Sequence, residues 1–114
     1  MSVSELFEKQ IDFQKSILAK QGEIFTANAI PTDNLQWFTY HCLAMIEEMG
    51  EVMKADKRWK THRNYRFERE EKLDEIADVF ITAINIAIYS GFSGNDIQEA
   101  IDKKIGKNIE RISK

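Results

Sequence analysis

The stretch KLDEIADVFITAINIAIYS (residues 72–90) decides the fold, because it is the most apolar part of the chain and shows no strand-like alternation. On a helical wheel, its polar side chains share roughly a quarter to a third of the circumference. They are Asp74, Glu75, Asp78, Thr82 and Asn85, and Glu71, directly before the stretch, falls in the same arc. The wide apolar arc predicts a helix that is buried on several sides. Its polar arc then points either to solvent or into a polar cleft.

Apolar residues keep helical spacing through the rest of the chain, so the expected fold class is all-α, with one domain over residues 1–114. The predicted helices are about Val3–Lys20, Asn34–Trp59, Glu70–Tyr89 and a fourth that begins near Ser93. The segment GEIFTANAIPTDN (residues 22–34) separates the first two helices. The segment KTHRNYRFERE (residues 60–70) lacks clear periodicity and is either a loop or a frayed helix end.

Short polar residues mark the expected helix ends. The candidates are Ser2 or Ser4 for the first helix, Thr32 or Asp33 after Pro31 for the second, Gly91 as the end of the third, and Ser93 or Asn95 for the fourth. The helices carry apolar faces at helical spacing: Leu6, Phe7, Ile11, Ile17 and Leu18; Leu35, Phe38, Cys42, Ile46, Met49 and Met53; and Ile97, Ile101, Ile105 and Ile109. Met45, Met49 and Met53 are interpreted as core-filling residues. Four helices of this length often need a partner chain to cover the most apolar one.

Composition and charge argue against a nucleic-acid partner, a disulfide-linked protein and a membrane protein. A formal net charge of −3 argues against a partner that is a nucleic-acid polymer. The single cysteine, Cys42, rules out an internal disulfide and is typical of a reducing cytosol. The first residues, MSVSELFEKQ, contain no apolar core of signal-peptide length, so no signal peptide is expected. The apolar run around residues 79–88 is too short to span a bilayer. We therefore expect a cytoplasmic protein without a membrane partner.

Carboxylates recur one helical turn apart in the stretch MIEEMGEVMKADKRWK (residues 45–60) and again in the third helix. Glu48 and Glu51 form one such pair, and Glu75 and Asp78 form the other. If the two pairs face each other, their repulsion requires protonation or a hard divalent cation such as Mg²⁺. The alternative is that both pairs lie on solvated helix faces, which are commonly charged.

Other chemistry has little support in the sequence. His41 and His62 are the only histidines, so a zinc site or a histidine-rich di-iron site is disfavoured. The chain contains neither a GxGxxG nor a GxxxxGK[ST] motif, so a Rossmann or Walker nucleotide site is not expected. Cys42 lies on an apolar face and is interpreted as a core residue, and His41 as a structural residue near the Glu48 face.

Basic and aromatic residues follow the first carboxylate pair and recur near the C-terminus. They are Lys54, Lys57, Arg58, Trp59, Lys60 and Arg63, and then Lys103, Lys104, Lys107, Asn108 and Arg111. A polyphosphate substrate needs such cations, and an indole stacks on a base. The alternatives are solvated helix residues that complement the helix dipole and a tryptophan in the core or an interface.

The ordered set EEMGE (Glu47–Glu51) and EIAD (Glu75–Asp78) resembles the EExxE…ExxD signature of the MazG-like all-α nucleoside triphosphate pyrophosphohydrolases. That superfamily includes the dimeric dUTPases, the dCTP pyrophosphatases and the phosphoribosyl-ATP pyrophosphohydrolases. The KRWK stretch, the apolar run after EIAD, the GFS turn and KKIGKNIER also have counterparts there. The resemblance covers about residues 35–112.

This resemblance implies a function and a set of site residues. Its members hydrolyse a (deoxy)nucleoside triphosphate to the monophosphate and pyrophosphate with Mg²⁺, for which Mn²⁺ can substitute. They are four-helix bundles completed by oligomerisation, which implies a homodimer or a homotetramer built as a dimer of dimers. The implied metal ligands are Glu48, Glu51, Glu75 and Asp78. Glu47 would either support the ligands without touching the metal or help to orient the attacking water, so Glu47 and Glu48 are the expected catalytic residues. The resemblance implies a phosphate- and sugar-binding role for Lys104, Asn108 and Arg111 and places Trp59 near the base. The basic stretch after the first carboxylate pair adds Lys54, Lys57 and Lys60 as candidate phosphate contacts.

Two other functions remain open at this point. The chain could be a non-catalytic helical module whose apolar third helix forms an oligomer interface. It could also be an enzyme of the same superfamily that acts on another pyrophosphate, such as phosphoribosyl-ATP. A phosphoesterase or a di-iron oxidase on the same scaffold is a more distant alternative, and the absence of ExxH pairs disfavours the oxidase.

Overall fold

The computed structural model describes residues 1–20, 30–60 and 66–113, and these ranges contain four α-helices and no strand. The helices are α1 (Val3–Lys20), α2 (Leu35–Asp56), α3 (Arg69–Tyr89) and α4 (Gly94–Ile112). The prediction of an all-α fold is therefore confirmed. Residues 22–29 of the first predicted connecting segment lie outside the described residues. Residues 61–65 of the second, which include His62 and Arg63, also lie outside them. The prediction of one domain stays a prediction.

Reciprocal hydrogen bonds begin α1 and α4. The Ser2 hydroxyl accepts from the Glu5 N–H at 3.1 Å, and the Ser2 N–H donates to the Glu5 carboxylate at 3.2 Å. Ser93 and Asp96 form the same capping box at the start of α4. Of the paired candidates, the structure thus selects Ser2 and Ser93. Gly91 ends α3 as expected, with a φ of 85°.

The ends of α2 differ from the prediction. Asn34, and neither Thr32 nor Asp33, caps the helix by accepting from the Trp37 N–H at 3.0 Å. The helix stops at Asp56 and does not reach Trp59. Lys57 adopts a φ of 65°. The carboxylate of Asp56 accepts a hydrogen bond from the Arg58 N–H at 3.2 Å. This local bond turns the chain out of the helix, as aspartate side chains often do.

The chain forms two compact units, Met1–Asp33 with Ala87–Lys114, and Asn34–Ile86. In the first unit α1 packs against α4. Its buried side chains include Phe7, Leu18, Ile88 and Tyr89. Gly94 permits the approach of α4 to α1, since a Cβ there would lie 2.8 Å from the Cα of Ser4.

The second unit contains α2 and most of α3. The predicted apolar face of α2 is largely exposed: Leu35 is 79% exposed, Ile46 68% and Met49 49%. The interpretation of Met49 and Met53 as core-filling residues is therefore wrong for the single chain. A pair of helices buries only one stripe of each helix, and other faces remain uncovered. On α3, Phe80 is likewise 67% exposed.

The polar arc of α3 is neither wholly solvated nor wholly buried. Glu71 and Asp74 are exposed, whereas Thr82 and Asn85 are buried at 8% and 6% exposure. The Thr82 hydroxyl donates to the Val79 carbonyl at 2.7 Å. The arc thus passes from solvent at its start into the protein, and the carboxylates lie near the transition.

A search for membrane-spanning helices in the described ranges finds no single helix that is long and apolar enough to cross a bilayer. Helices α3 and α4 satisfy the criteria of length and composition only together, as a bent pair.

Candidate metal centre

Three carboxylates from two helices meet in the second unit. Each of Glu48 on α2 and Glu75 and Asp78 on α3 offers an oxygen atom, and these three atoms lie within 4.8 Å of one another. Glu75 and Asp78 share a face because they are one helical turn apart. Glu48 and Glu75 are half-buried, and Asp78 is exposed.

The pKa values of Glu48 and Glu75 are both raised. Burial raises the pKa of Glu48, and the charges of Asp78, Glu75, Glu47 and Glu51 raise it further. Burial likewise raises the pKa of Glu75, and the nearby charges of Asp78 and Glu51 add to the effect. The carboxylates therefore destabilise one another when no cation lies between them.

The donor set fits a hard divalent cation. Two oxygen ligands of Mg²⁺ lie about 3 Å apart when adjacent and about 4.2 Å apart when opposite, and opposite ligands of Ca²⁺ lie about 5 Å apart. The three oxygen atoms lie within 4.8 Å of one another, so the side chains need only close slightly to reach a common ion. All three donors are carboxylates, which Mg²⁺ and Mn²⁺ prefer to softer ligands. Glu48, Glu75 and Asp78 could therefore hold such an ion.

Glu51, the fourth predicted ligand, lies beside the cluster but outside the group of three. It is half-buried, and its carboxylate pairs with the Lys54 ammonium at 3.6 Å. Its charge still contributes to the raised pKa of Glu75, so the two side chains are near neighbours. Glu47 is exposed, and its charge contributes to the raised pKa of Glu48. The structure thus places both residues at the edge of the cluster.

Two of the predicted basic and aromatic residues after α2, Arg58 and Trp59, line a cleft of about 520 Å³. Trp59 is 51% exposed and donates its indole N–H to the Met53 carbonyl at 2.7 Å. Lys60 lies over the same indole ring, 5.7 Å from its centroid. Lys57 is half-buried at the turn that ends α2. The cleft lining consists of Val52, Met53, Asp56, Arg58, Trp59 and Lys72.

Two lining residues, Asp56 and Lys72, did not emerge as site residues from the sequence. Lys72 donates to the Asp56 carboxylate at 2.5 Å and so joins α3 to α2. Sequence spacing contains no signal for this pair, because the partners are 16 positions apart on different helices. Because Asp56 pairs with Lys72 and Glu48 meets Asp78, α2 and α3 run antiparallel here.

The remaining predicted substrate-binding residues lie on α4, in the first unit. Lys104, Asn108 and Arg111 line an open depression of about 390 Å³, together with Lys107. The Arg111 guanidinium donates to the Asn108 side-chain oxygen at 2.5 Å. All four side chains are exposed. They form a basic face on α4 in the first unit, whereas the carboxylate cluster belongs to the second unit.

His41 lies in an aromatic group and is 4% exposed. Its ring stacks on Trp37 at a centroid distance of 6.2 Å and meets the edge of Tyr40 at 5.0 Å. Burial lowers its pKa, which favours the neutral imidazole. This environment fits the structural role expected of His41, and Cys42 beside it is half-buried.

No protein-family model matches the chain, and no curated protein and no solved structure matches it either.

Proposed function

We propose that the protein is a MazG-like nucleotide pyrophosphohydrolase, which hydrolyses a (deoxy)nucleoside triphosphate to the monophosphate and pyrophosphate with Mg²⁺. One observation carries the proposal: carboxylate oxygens of Glu48, Glu75 and Asp78 lie within 4.8 Å of one another. A solvated acidic face would spread these charges apart, whereas a cation site brings them together. The order EEMGE and then EIAD supports the choice of family.

The carboxylates have two proposed roles, which are to bind the cation and to activate the attacking water. Glu48, Glu75 and Asp78 hold the divalent cation, and Glu51 adjoins them from α2. When bound, the cation neutralises phosphate charge and lowers the pKa of a ligating water. Glu47 is exposed beside Glu48, and in the proposal it orients the attacking water and accepts its proton. The water oxygen bonds to the α-phosphorus, and pyrophosphate leaves with the bridging oxygen.

The cleft at the end of α2 supplies the proposed substrate contacts. Its volume of about 520 Å³ is in the range of small-molecule sites. The exposed indole of Trp59 offers a stacking surface for a base. Lys54, Lys57 and Lys60 lie on the last turn of α2 and just after it, and their charges balance phosphate oxygens. Lys104, Asn108 and Arg111 are proposed to add further phosphate and sugar contacts.

The proposal includes a bundle completed by self-association, as a homodimer or a dimer of dimers. Its support is the exposure of large apolar side chains on three helices, such as Leu35 at 79%, Phe80 at 67% and Ile109 at 60%. Large apolar side chains that are exposed on helix faces commonly lie in an interface. Light scattering after size-exclusion chromatography measures the mass directly. We further propose a cytoplasmic location, in keeping with the single cysteine.

The deciding experiment measures pyrophosphate release from a panel of common and modified (deoxy)nucleoside triphosphates and phosphoribosyl-ATP, with Mg²⁺ and with EDTA. Mg²⁺-dependent release with a monophosphate product supports the proposal and identifies the base. Release from phosphoribosyl-ATP alone would assign the chain to another substrate of the same superfamily.

A non-catalytic helical module is the second candidate, and the exposed apolar faces favour it equally. It predicts no release from any nucleotide by a folded protein whose melting temperature does not respond to Mg²⁺.

A further inference from the structure

An ion pair joins the end of α2 to the first turn of α3. The Lys72 ammonium lies 2.5 Å from the Asp56 carboxylate, and the two side chains are only 22% and 17% exposed. Most surface ion pairs contribute little because water screens them and both side chains must be ordered. This pair is mostly covered, so screening by water is reduced.

Other contacts fix the pair in place. Arg58 donates two hydrogen bonds to the Asp56 carboxylate, at 2.7 and 2.9 Å. The Arg58 guanidinium and the Lys72 ammonium lie over the Phe67 ring, 4.5 and 4.0 Å from its centroid. The hydrogen bonds from Arg58 and Lys72 hold the pKa of Asp56 far below its usual range. The Asp56 carboxylate therefore remains ionised at any pH at which the carboxylate cluster binds a cation.

The pair opposes the repulsion within the cluster. Glu48 precedes Asp56 by about 12 Å along α2, and Lys72 precedes Glu75 by about 4.5 Å along α3. The carboxylates of the cluster repel one another across these two helices, whereas Asp56 and Lys72 attract each other across the same two helices. An attraction within three turns of the cluster limits how far α2 and α3 separate.

We infer that Asp56 and Lys72 are positioning residues, whose ion pair sets the spacing of Glu48 from Glu75 and Asp78 and thereby the affinity for a divalent cation. The inference rests on the metal site of the proposed function. Neither residue contacts the cation. They act through the helices that carry its ligands.

The test compares three variants by calorimetric titration with Mn²⁺ at a temperature where all of them are folded. Lys72→Met keeps an unbranched apolar chain against Phe67 and removes the charge. Lys72→Arg keeps the charge. Arg69→Met, the matched control, removes an exposed ion pair with Glu70 that joins neighbouring residues of α3 only. We expect Lys72→Met to weaken Mn²⁺ binding about tenfold or more, and the other two to remain within about threefold of the parent chain.

A purely structural role would lower the melting temperature of Lys72→Met and leave its Mn²⁺ dissociation constant unchanged, which overturns the inference. Equal weakening by Lys72→Arg overturns it as well, since the charge would then be irrelevant. If Lys72→Met does not fold, Asp56→Asn, which keeps the side-chain size, takes its place. A parent chain that binds no Mn²⁺ overturns the metal site itself, so the two failures are distinguishable.

Discussion

The phenol of Tyr89 donates a hydrogen bond to the side-chain oxygen of Gln14 at 2.8 Å, which joins the last turn of α3 to α1. Both residues are buried, at 1% and 6% exposure. Tyr89→Phe keeps the ring and removes this donor from a buried oxygen. We expect the free energy of unfolding to fall by about 1–3 kcal/mol, measured by urea denaturation.

Tyr40→Phe is the matched control, because Tyr40 is 59% exposed and its ring contacts survive the change. It should alter the free energy of unfolding by less than about 0.5 kcal/mol. If both variants behave alike, the buried hydrogen bond makes no net contribution to stability.

The sequence predicts helices well because helical periodicity is local information. The predicted and observed ranges of α1 coincide at Val3–Lys20, and α3 differs by one residue at its start. The Tyr89–Gln14 bond joins residues 75 positions apart, and no periodic pattern contains such a contact. The sequence therefore located the helices and not the polar contacts that join them.

The candidate site shows the same division. Glu48, Glu75 and Asp78 are found from their spacing on α2 and α3, and the structure brings their oxygens together. Asp56 and Lys72 were missed because they lie 16 positions apart on different helices, and helical spacing contains no signal for such a pair. The exposure of the apolar face of α2 was missed because periodicity shows which face is apolar but not what covers it.

Two glycines of α4 should respond in opposite directions to alanine. A Cβ on Gly94 would lie 2.8 Å from the Cα of Ser4 and 3.1 Å from the carbonyl oxygen of Val3, and neither backbone atom yields easily. We expect Gly94→Ala to reduce stability by about 1–3 kcal/mol, because α4 must move away from α1. Thermal unfolding followed by circular dichroism measures the change.

Gly106→Ala is the control on the same helix, because a Cβ there has nothing within 4 Å. Alanine restricts the unfolded chain and favours the helix, so stability should rise by about 0.4–1 kcal/mol. A stabilising Gly94→Ala would contradict the close packing of α4 on α1.

Glu48→Gln should lower the turnover number and raise the stability of the metal-free chain. Turnover should fall by about two orders of magnitude or more, because the variant loses a metal-binding carboxylate beside the attacking water. The metal-free variant should be more stable than the parent chain at neutral pH, because one repelling charge is gone. Exposed Glu70 provides the control Glu70→Gln, which should change neither quantity. A fully active Glu48→Gln enzyme would remove Glu48 from the site.

The stability gain of Glu48→Gln should depend on pH. Burial and neighbouring charges raise the pKa of Glu48 in the folded chain, so between the unfolded and folded pKa values the folded state binds the proton more tightly. Repulsion therefore destabilises the parent chain above the folded pKa and is relieved as the pH falls through it. The difference in melting temperature between variant and parent should shrink as the pH is lowered from 7.5 towards 5. A difference that grows on acidification would reverse the sign of the proposed interaction.

Mg²⁺ should stabilise the folded chain through the same carboxylates. A ligand that binds only the folded state at a concentration of one hundred times its dissociation constant adds about 2.7 kcal/mol at 25 °C. The melting temperature should therefore rise with Mg²⁺ and return to its starting value with EDTA. The double variant Glu75→Gln/Asp78→Asn leaves Glu48 without its partners and should lose this response, whereas Glu8→Gln, an exposed change on α1, should keep it.

Because the double variant also removes repulsion, its metal-free form should melt at or above the parent temperature. A variant that melts lower and still responds to Mg²⁺ would show that the cation binds elsewhere and that these carboxylates serve the fold.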